Sequence, residues 1–406
     1  MNFASKPARF KDRPFRPVGP RSARKQEVPG KCPENCWRRT DMDTHHRSHD
    51  ACNGAGRNLA RLRSRASGFF ESLSVAELAR EAPRHLWISD WSRIANDYLV
   101  TAETVRKDGS AQTAGEAWLC GLTALEVARS LACPGDLDHV DFADKVGHSL
   151  RSFADDAGPA VERVEIDGPD QGMLTGFFLP VRRPGPTAPV VICVSDAGTS
   201  LGSMVSRLLP ASLCRGMSLL FVDAGHLSIR RRSRAEQAFQ CWLDYLEARP
   251  DVDPQRIAIY GEGVGAAHAS RLAFSDRRIA AAICDGGLAT PVMRRAWLRR
   301  SSGLEPAVDD GIADDGIASD ASRPSRRIPC PLLVVVGSRS MVTEQDALKL
   351  QAGYRQAGAD CAVAVPNRIP HPLGEVENFV AVDDFIFEWL DGKLGPARRL
   401  DAVTYL

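Results

Sequence analysis

Apolar and polar positions change rhythm once along this chain, near Val161. From Leu59 to Phe153 apolar residues recur three to four apart, as at Trp118, Leu122 and Leu125, which is the spacing of one face of an α-helix. No segment in that stretch alternates as a strand would, so the pattern predicts a helical N-terminal domain over 58–155. After Val161 short apolar runs alternate with helical ones. Val161 to Ile166 and Gly172 to Leu179 read as a hairpin, and strands follow at Val190 to Val194, Leu219 to Asp223, Ile257 to Tyr260, Ala280 to Cys284, Leu332 to Val336 and Cys361 to Val365. Helices are expected at Ser203 to Arg215, Ser233 to Ala248, Val264 to Phe274 and Val380 to Leu394. Short continuous apolar strands separated by helices predict a doubly wound, mainly parallel sheet covered on both faces, here over 156–398.

Composition adjusts the ends of this picture. Residues 1–57 are rich in Pro, Arg, Ser and Gly without an apolar period and are expected to be a disordered tail, with Met42 a candidate for the true start; 399–406 form a second, short tail. The formal net charge is +1, but Met1 to Ala66 hold 16 Lys/Arg against 6 Asp/Glu, leaving the body mildly acidic. A body of that sign lacks the basic surface a nucleic-acid partner requires. The two DDGIA copies at Asp309 to Ala313 and Asp314 to Ala318 read as a surface loop of low complexity.

The 11 cysteines are odd in number, and several, such as Cys193, Cys241 and Cys284, sit in apolar runs. Buried free thiols in a reducing, cytoplasmic compartment are the expectation. Cys32, Cys36, His45, His46, His49 and Cys52 include zinc-type ligands, but their spacing matches no common structural site, so no metal is expected. No apolar run nears the roughly 18 residues that span a bilayer, so no membrane partner is expected, and the N-terminus lacks the apolar core of a secretory signal.

The candidate chemistry gathers around Pro250 to Gly265, where a short strand runs into Gly261-Glu262-Gly263-Val264-Gly265 and then a helix. Small residues on both sides of a sharp strand-to-helix turn are what a nucleophile elbow needs, because they let the chain lift its central residue above the sheet. That central residue is Gly263, which has no side chain with which to attack.

With this turn, the chain resembles the α/β-hydrolase superfamily, in the branch with a helical N-terminal domain. The branch includes 2,6-dihydroxypseudooxynicotine hydrolase, fungal polyketide-shortening hydrolases and prolyl-oligopeptidase-related hydrolases. The likeness runs from about Gly115 to Leu394 and is carried by Glu165 to Leu179 with Val190 to Gly198, by Arg215 to Gly225, and by Tyr245 to Gly265. The resemblance implies a nucleophile at Gly263, an acid at Ser340 in Gly337-Ser338-Arg339-Ser340, and a base at His371 in Arg368-Ile369-Pro370-His371-Pro372. Only the histidine keeps the residue type of such a triad. Backbone N–H groups of Val264 and of the turn Ser195-Asp196-Ala197-Gly198 remain as oxyanion donors, although the Asp196 carboxylate would oppose an anion there.

Each remaining residue has two readings. Glu262 is either a solvated elbow residue or an acid/base group, and Asp285 is either a turn residue or a substitute partner for His371. His371 is either a base or a packed residue at a strand-to-helix corner, Asp223 is expected to anchor its loop, and His268 and Cys284 are expected to face the core.

Three functions follow. One is a tailoring enzyme in which His371 acts as general base on a small hydrophobic acyl or polyketide-like substrate, or a residual hydrolase. The second is a non-catalytic protein that binds a small hydrophobic molecule. The third is a dinucleotide-binding oxidoreductase, since Gly261, Gly263 and Ala266 fit G-x-G-x-x-A and Asp285 falls 24 residues after Gly261. Against the third, the turn follows at least the third parallel strand, whereas that fingerprint opens the first βαβ unit. No cofactor is expected on the first two readings, and a homodimer is compatible with all of them.

Overall fold

The computed structural model describes residues 56–108, 110–132, 161–168, 172–181, 187–196, 199, 201–222, 232–287, 329–338, 340, 342–371 and 374–395. Residues 1–55 of the expected tail, the DDGIA copies, Asp223 and the boundaries expected near 155 and 398 lie outside them, while Arg57, expected in the tail, opens the first helix.

Helices come first: α1 (Arg57–Ser72), α2 (Val75–Leu78), α3 (Glu81–Lys107) and α4 (Ala111–Leu131). In α1 the buried Leu59, Leu62, Ala66 and Phe70 form the single stripe that the apolar spacing predicts. In α4 nearly every residue from Ala114 to Ala128 is buried, because this helix lies between α3 and α1 on one side and the sheet's own helices on the other.

A second, sheet-based region follows. It runs β1 (Glu162–Gly168), β2 (Gly172–Leu179), β3 (Ala188–Val194), α5 (Leu201–Leu213), β4 (Ser218–Val222), α6 (Arg232–Ala248), β5 (Val252–Glu262), α7 (Gly265–Ser275), β6 (Ile279–Asp285), β7 (Leu332–Val335), α8 (Glu344–Gln356) and β8 (Cys361–Ala364). A hairpin, β9 (Arg368–His371) and β10 (Gly374–Glu377), leads into α9 (Phe379–Leu394). The main sheet has eight strands in the order β1-β2-β4-β3-β5-β6-β7-β8. β2 is antiparallel to both β1 and β4, and every later pair is parallel.

Alternation along β3 divides the core in two. Val191 and Cys193 face one cluster with α5, α9 and the N-terminal helices, while Val190, Ile192 and Val194 face another with α6, α7 and α8. The N-terminal helices therefore share a continuous core with one face of the sheet. Polar contacts fasten the same seam: buried Glu126 of α4 accepts from Ser203 Oγ (3.1 Å) and Ser206 Oγ (3.3 Å) of α5, and Arg63 of α1 reaches Asp384 Oδ1 of α9 at 2.8 Å.

Three local expectations are corrected. β5 begins at Val252, five positions before Ile257, because the polar turn residues ahead of the apolar run continue its extended backbone. α8 was not anticipated; only Ala347 and Gln351 of it are buried, too few to leave an apolar period. The segment holding His371 is a strand of a two-stranded hairpin, not a strand-to-helix corner, with His371 opposite Gly374.

Candidate functional site

The turn between β5 and α7 stands at the centre of the sheet, after a strand flanked by β3 and β6. Its three glycines have separate causes. A Cβ on Gly261 would overlap the Gly265 carbonyl, and one on Gly265 would overlap the Val194 carbonyl, so both are glycine because backbone passes against backbone. Gly263 has φ +53°, the left-handed region that glycine enters without strain. A Cβ there would overlap Cγ and Oδ2 of Asp196 and stand 2.8 Å from its Oδ1.

Asp196, just beyond the end of β3, thus puts its carboxylate over the centre of this turn. Its Oδ1 accepts the Val264 N–H at 3.1 Å. The Gly263 N–H donates to the Asp285 carbonyl at 2.7 Å. Of the expected oxyanion donors, the Val264 N–H is therefore already engaged by an anion of the chain itself. Ser195 is buried, Asp196 is partly exposed, and Ala197 lies outside the described residues.

Beneath the turn lies a buried ionic cluster. Arg207 of α5, 1% exposed, donates to Glu262 Oε2 at 2.9 Å and to Asp383 Oδ1 of α9 at 2.7 Å. It also lies 4.0 Å from Asp285 Oδ2, which accepts from the Tyr260 hydroxyl at 2.7 Å. Burial pulls the guanidinium pKa down, but Asp383, Tyr260, Glu262 and Asp285 more than offset this and hold it well above its ordinary range. The solvated reading of Glu262 is corrected: its carboxylate is fully buried because it points back under the sheet edge to Arg207. Asp285 is likewise fully buried, in the company of Tyr260 and Arg207. A residue spacing along one strand gave no hint of Arg207 or Asp383, which arrive from helices 55 and 121 positions away from Glu262.

The turn after β7 holds Ser340, whose Oγ lies 2.9 Å from the Val342 carbonyl and 3.2 Å from the Gly286 carbonyl, so that its one O–H donates within the loop and pins it. Into the same turn comes a carboxylate that the sequence reading missed. Glu377 of β10, 7% exposed, accepts the Ser338 N–H on Oε2 at 2.6 Å, and a Cβ on Gly337 would overlap that oxygen. Its Oε1 is buried without a hydrogen-bond partner among the described residues. The signal available was a glutamate just ahead of the last helix, which spacing alone does not separate from an N-terminal helix charge. For His371 the structure describes the backbone, in β9.

His268 and Cys284 are buried as expected. Burial pushes the Cys193 and Cys284 thiols well above their ordinary range. Among the described residues no cluster of His, Cys, Asp or Glu is arranged to hold a metal, and no helix is long and apolar enough to cross a membrane.

Strand order with an antiparallel β2, helices on both faces, and a glycine-lined turn after the central β5 together define the α/β-hydrolase fold, and this chain has it. No family model matches the chain. Two uncharacterized proteins of Mycobacterium tuberculosis, from strains H37Rv and CDC 1551, are each 34% identical to it over 122 residues, which is 28% of this chain and 42% of theirs. The chain thus matches less than half the length of these curated relatives. Among solved structures, 2,6-dihydroxy-pseudo-oxynicotine hydrolase is similar with 17% identity and a TM-score of 0.49, covering 82% of this chain and 96% of that one. Acylaminoacyl peptidase from Pyrococcus horikoshii is similar with 14% identity and a TM-score of 0.44 over 60% of this chain and 43% of its own. Est1E from Butyrivibrio proteoclasticus has 15% identity and a TM-score of 0.43 over 58% of this chain and 99% of its own.

Proposed function

We propose that this chain is a hydrolase-like protein that works without an acyl-enzyme, holding a small hydrophobic acyl or polyketide-like molecule over the β5–α7 turn with His371 as general base. The observation that carries the reading is the space at Gly263: where an elbow nucleophile would project, the Asp196 carboxylate already stands and binds the Val264 N–H. Covalent acyl transfer needs both a side chain and a free oxyanion donor at that point. Proton abstraction by His371, leading to elimination, cyclisation or C–C cleavage, needs neither.

The ligand-binding alternative draws support from Ser340, which puts a hydroxyl held within its own loop at the position where the resemblance implies the acid. The dinucleotide alternative is disfavoured on two grounds. Gly261 and Gly265 are accounted for by strand–helix packing, and the N-terminus of α7, where a pyrophosphate would sit, faces the Asp196 carboxylate.

The test is a screen of p-nitrophenyl butyrate, short acyl thioesters and 1,3-diketones with wild type and His371→Ala. The proposal expects no acyl burst with any of them, and turnover of at least one that disappears in His371→Ala while ligand affinity stays within a few fold. Turnover absent from both proteins, with binding retained, supports the ligand-binding alternative. A stoichiometric burst with the esters overturns both.

A further inference from the structure

We infer that the outward face of α1, with the aromatic seam that joins it to the start of α3, lies against an anionic phospholipid surface. The inference is independent of the chemistry proposed for the β5–α7 turn.

The stripe Leu59, Leu62, Ala66 and Phe70 turns inward and so fixes which side of α1 faces out. On the outer side Arg57, Arg61 and Arg65 recur every four residues, a row about 12 Å long at 1.5 Å per residue. All three are exposed, and none has a carboxylate partner among the described residues. The carboxylates around them are committed elsewhere: Glu116 of α4 accepts the N–H groups of Asn58 and Leu59, Glu77 closes a capping box with Ser74, and Asp90 pairs with Arg93 at 3.5 Å. Glu71 shares α1 but stands about 120° round the helix from Arg65 and about 160° from Phe69, at 100° per residue. The sequence leading into α1 has the same sign as the row, with 16 Lys/Arg against 6 Asp/Glu up to Ala66.

This row runs into apolar surface. Arg65 lies over the Trp91 ring at 5.4 Å, and Phe69, one turn further, meets Trp91 at 5.5 Å and Trp87 at 5.8 Å, edge to face. Phe69 and Trp87 are partly exposed, and Leu86, next to Trp87, is 67% exposed. Arginines that flank half-exposed aromatic and aliphatic side chains suit a bilayer interface, where guanidinium groups meet lipid phosphates and rings sit at head-group depth. A nucleic acid would reward the charge but gain nothing from Leu86. No described helix is long and apolar enough to cross a bilayer, and lying on one needs no such helix.

The experiment is co-sedimentation of the full chain with vesicles of phosphatidylcholine alone and of phosphatidylcholine mixed with phosphatidylglycerol. Wild type should bind the anionic vesicles at least about tenfold more tightly, and raised salt should shrink the preference. Arg57→Gln/Arg61→Gln/Arg65→Gln should lose about a hundredfold on anionic vesicles, about fivefold for each charge. Leu86→Ser should lose at least about threefold on them. Thermal melting shows whether each variant is folded. If the triple variant melts early, Arg57→Gln/Arg61→Gln, which keeps Arg65 over Trp91, should still lose about twenty-fivefold. Equal binding to both vesicles, or binding to neither, overturns the inference. So does undiminished binding by the arginine variants, which would trace the affinity to the rest of the basic N-terminal sequence. Tighter binding to a single-stranded oligonucleotide than to the anionic vesicles, unchanged in Leu86→Ser, would assign the face to nucleic acid and overturn it as well.

Discussion

Replacing Gly263 by serine puts a side chain back where an elbow nucleophile would stand, and the structure sets its cost. The backbone at 263 has φ +53°, a conformation that costs an L side chain about 1–2 kcal/mol. The new Cβ would overlap Cγ and Oδ2 of Asp196, but the obstacle is the end of a short side chain and can rotate away. Rotation gives up the bond from Val264 N–H to Oδ1, now 3.1 Å, a charge-assisted contact of about 1.5–3 kcal/mol. Gly263→Ser should therefore destabilise the protein by about 2–5 kcal/mol, read from urea denaturation at constant m. A double-mutant cycle with Asp196→Ala isolates the mechanism. In the double variant the Val264 bond is lost once instead of twice, so the two single costs should exceed the double cost by about 1.5–3 kcal/mol. Additivity within about 0.5 kcal/mol would refute the claim that Asp196 and a side chain at 263 compete for one space.

Other perturbations probe the frame around the turn. Gly261→Ala and Gly265→Ala meet backbone carbonyls that cannot rotate away, so each should cost about 3 kcal/mol or more in the same denaturation assay, and a near-neutral result would contradict the packing. Arg207→Met leaves Glu262, Asp285 and Asp383 buried without their shared cation and should cost about 3–5 kcal/mol at neutral pH; adding Asp383→Leu should recover part of it. Burial, helped by Arg271, lowers the His268 pKa to about 4, so the folded protein resists protonating it while the unfolded chain does not. Its contribution is present above the unfolded value near 6.5 and is lost as pH falls toward 4, roughly 2–4 kcal/mol in all. NMR titration should find this imidazole neutral at pH 5.5, and His268→Phe should flatten the fall in stability between pH 6.5 and 4.

The sheet was legible because its strands are short, continuous apolar runs, and burial on both faces removes the ambiguity of which side is polar. β3 is the clearest case, with all seven residues from Ala188 to Val194 buried. α8 and the β9–β10 hairpin escaped because their residues are largely polar, and in α8 only Ala347 and Gln351 are buried. At the site, the glycine turn could be read from spacing, since three glycines around a strand end have few other uses. What occupies it could not. Asp196, Arg207, Asp383 and Glu377 reach their partners across 39 to 176 positions of sequence, and periodicity carries no information about such pairs. Glu262 shows the same limit from the other side: a charged residue next to a turn reads as solvated until a buried arginine from another element is found beneath it.

The central claim is that no nucleophile stands at the β5–α7 turn, and intact-mass analysis after incubation with a fluorophosphonate tests it most directly. The account predicts wild-type protein of unchanged mass after prolonged exposure, because the turn offers no hydroxyl and its Val264 N–H is already bound by Asp196. A stoichiometric adduct that peptide mapping places at or beside residues 262–264 would contradict it.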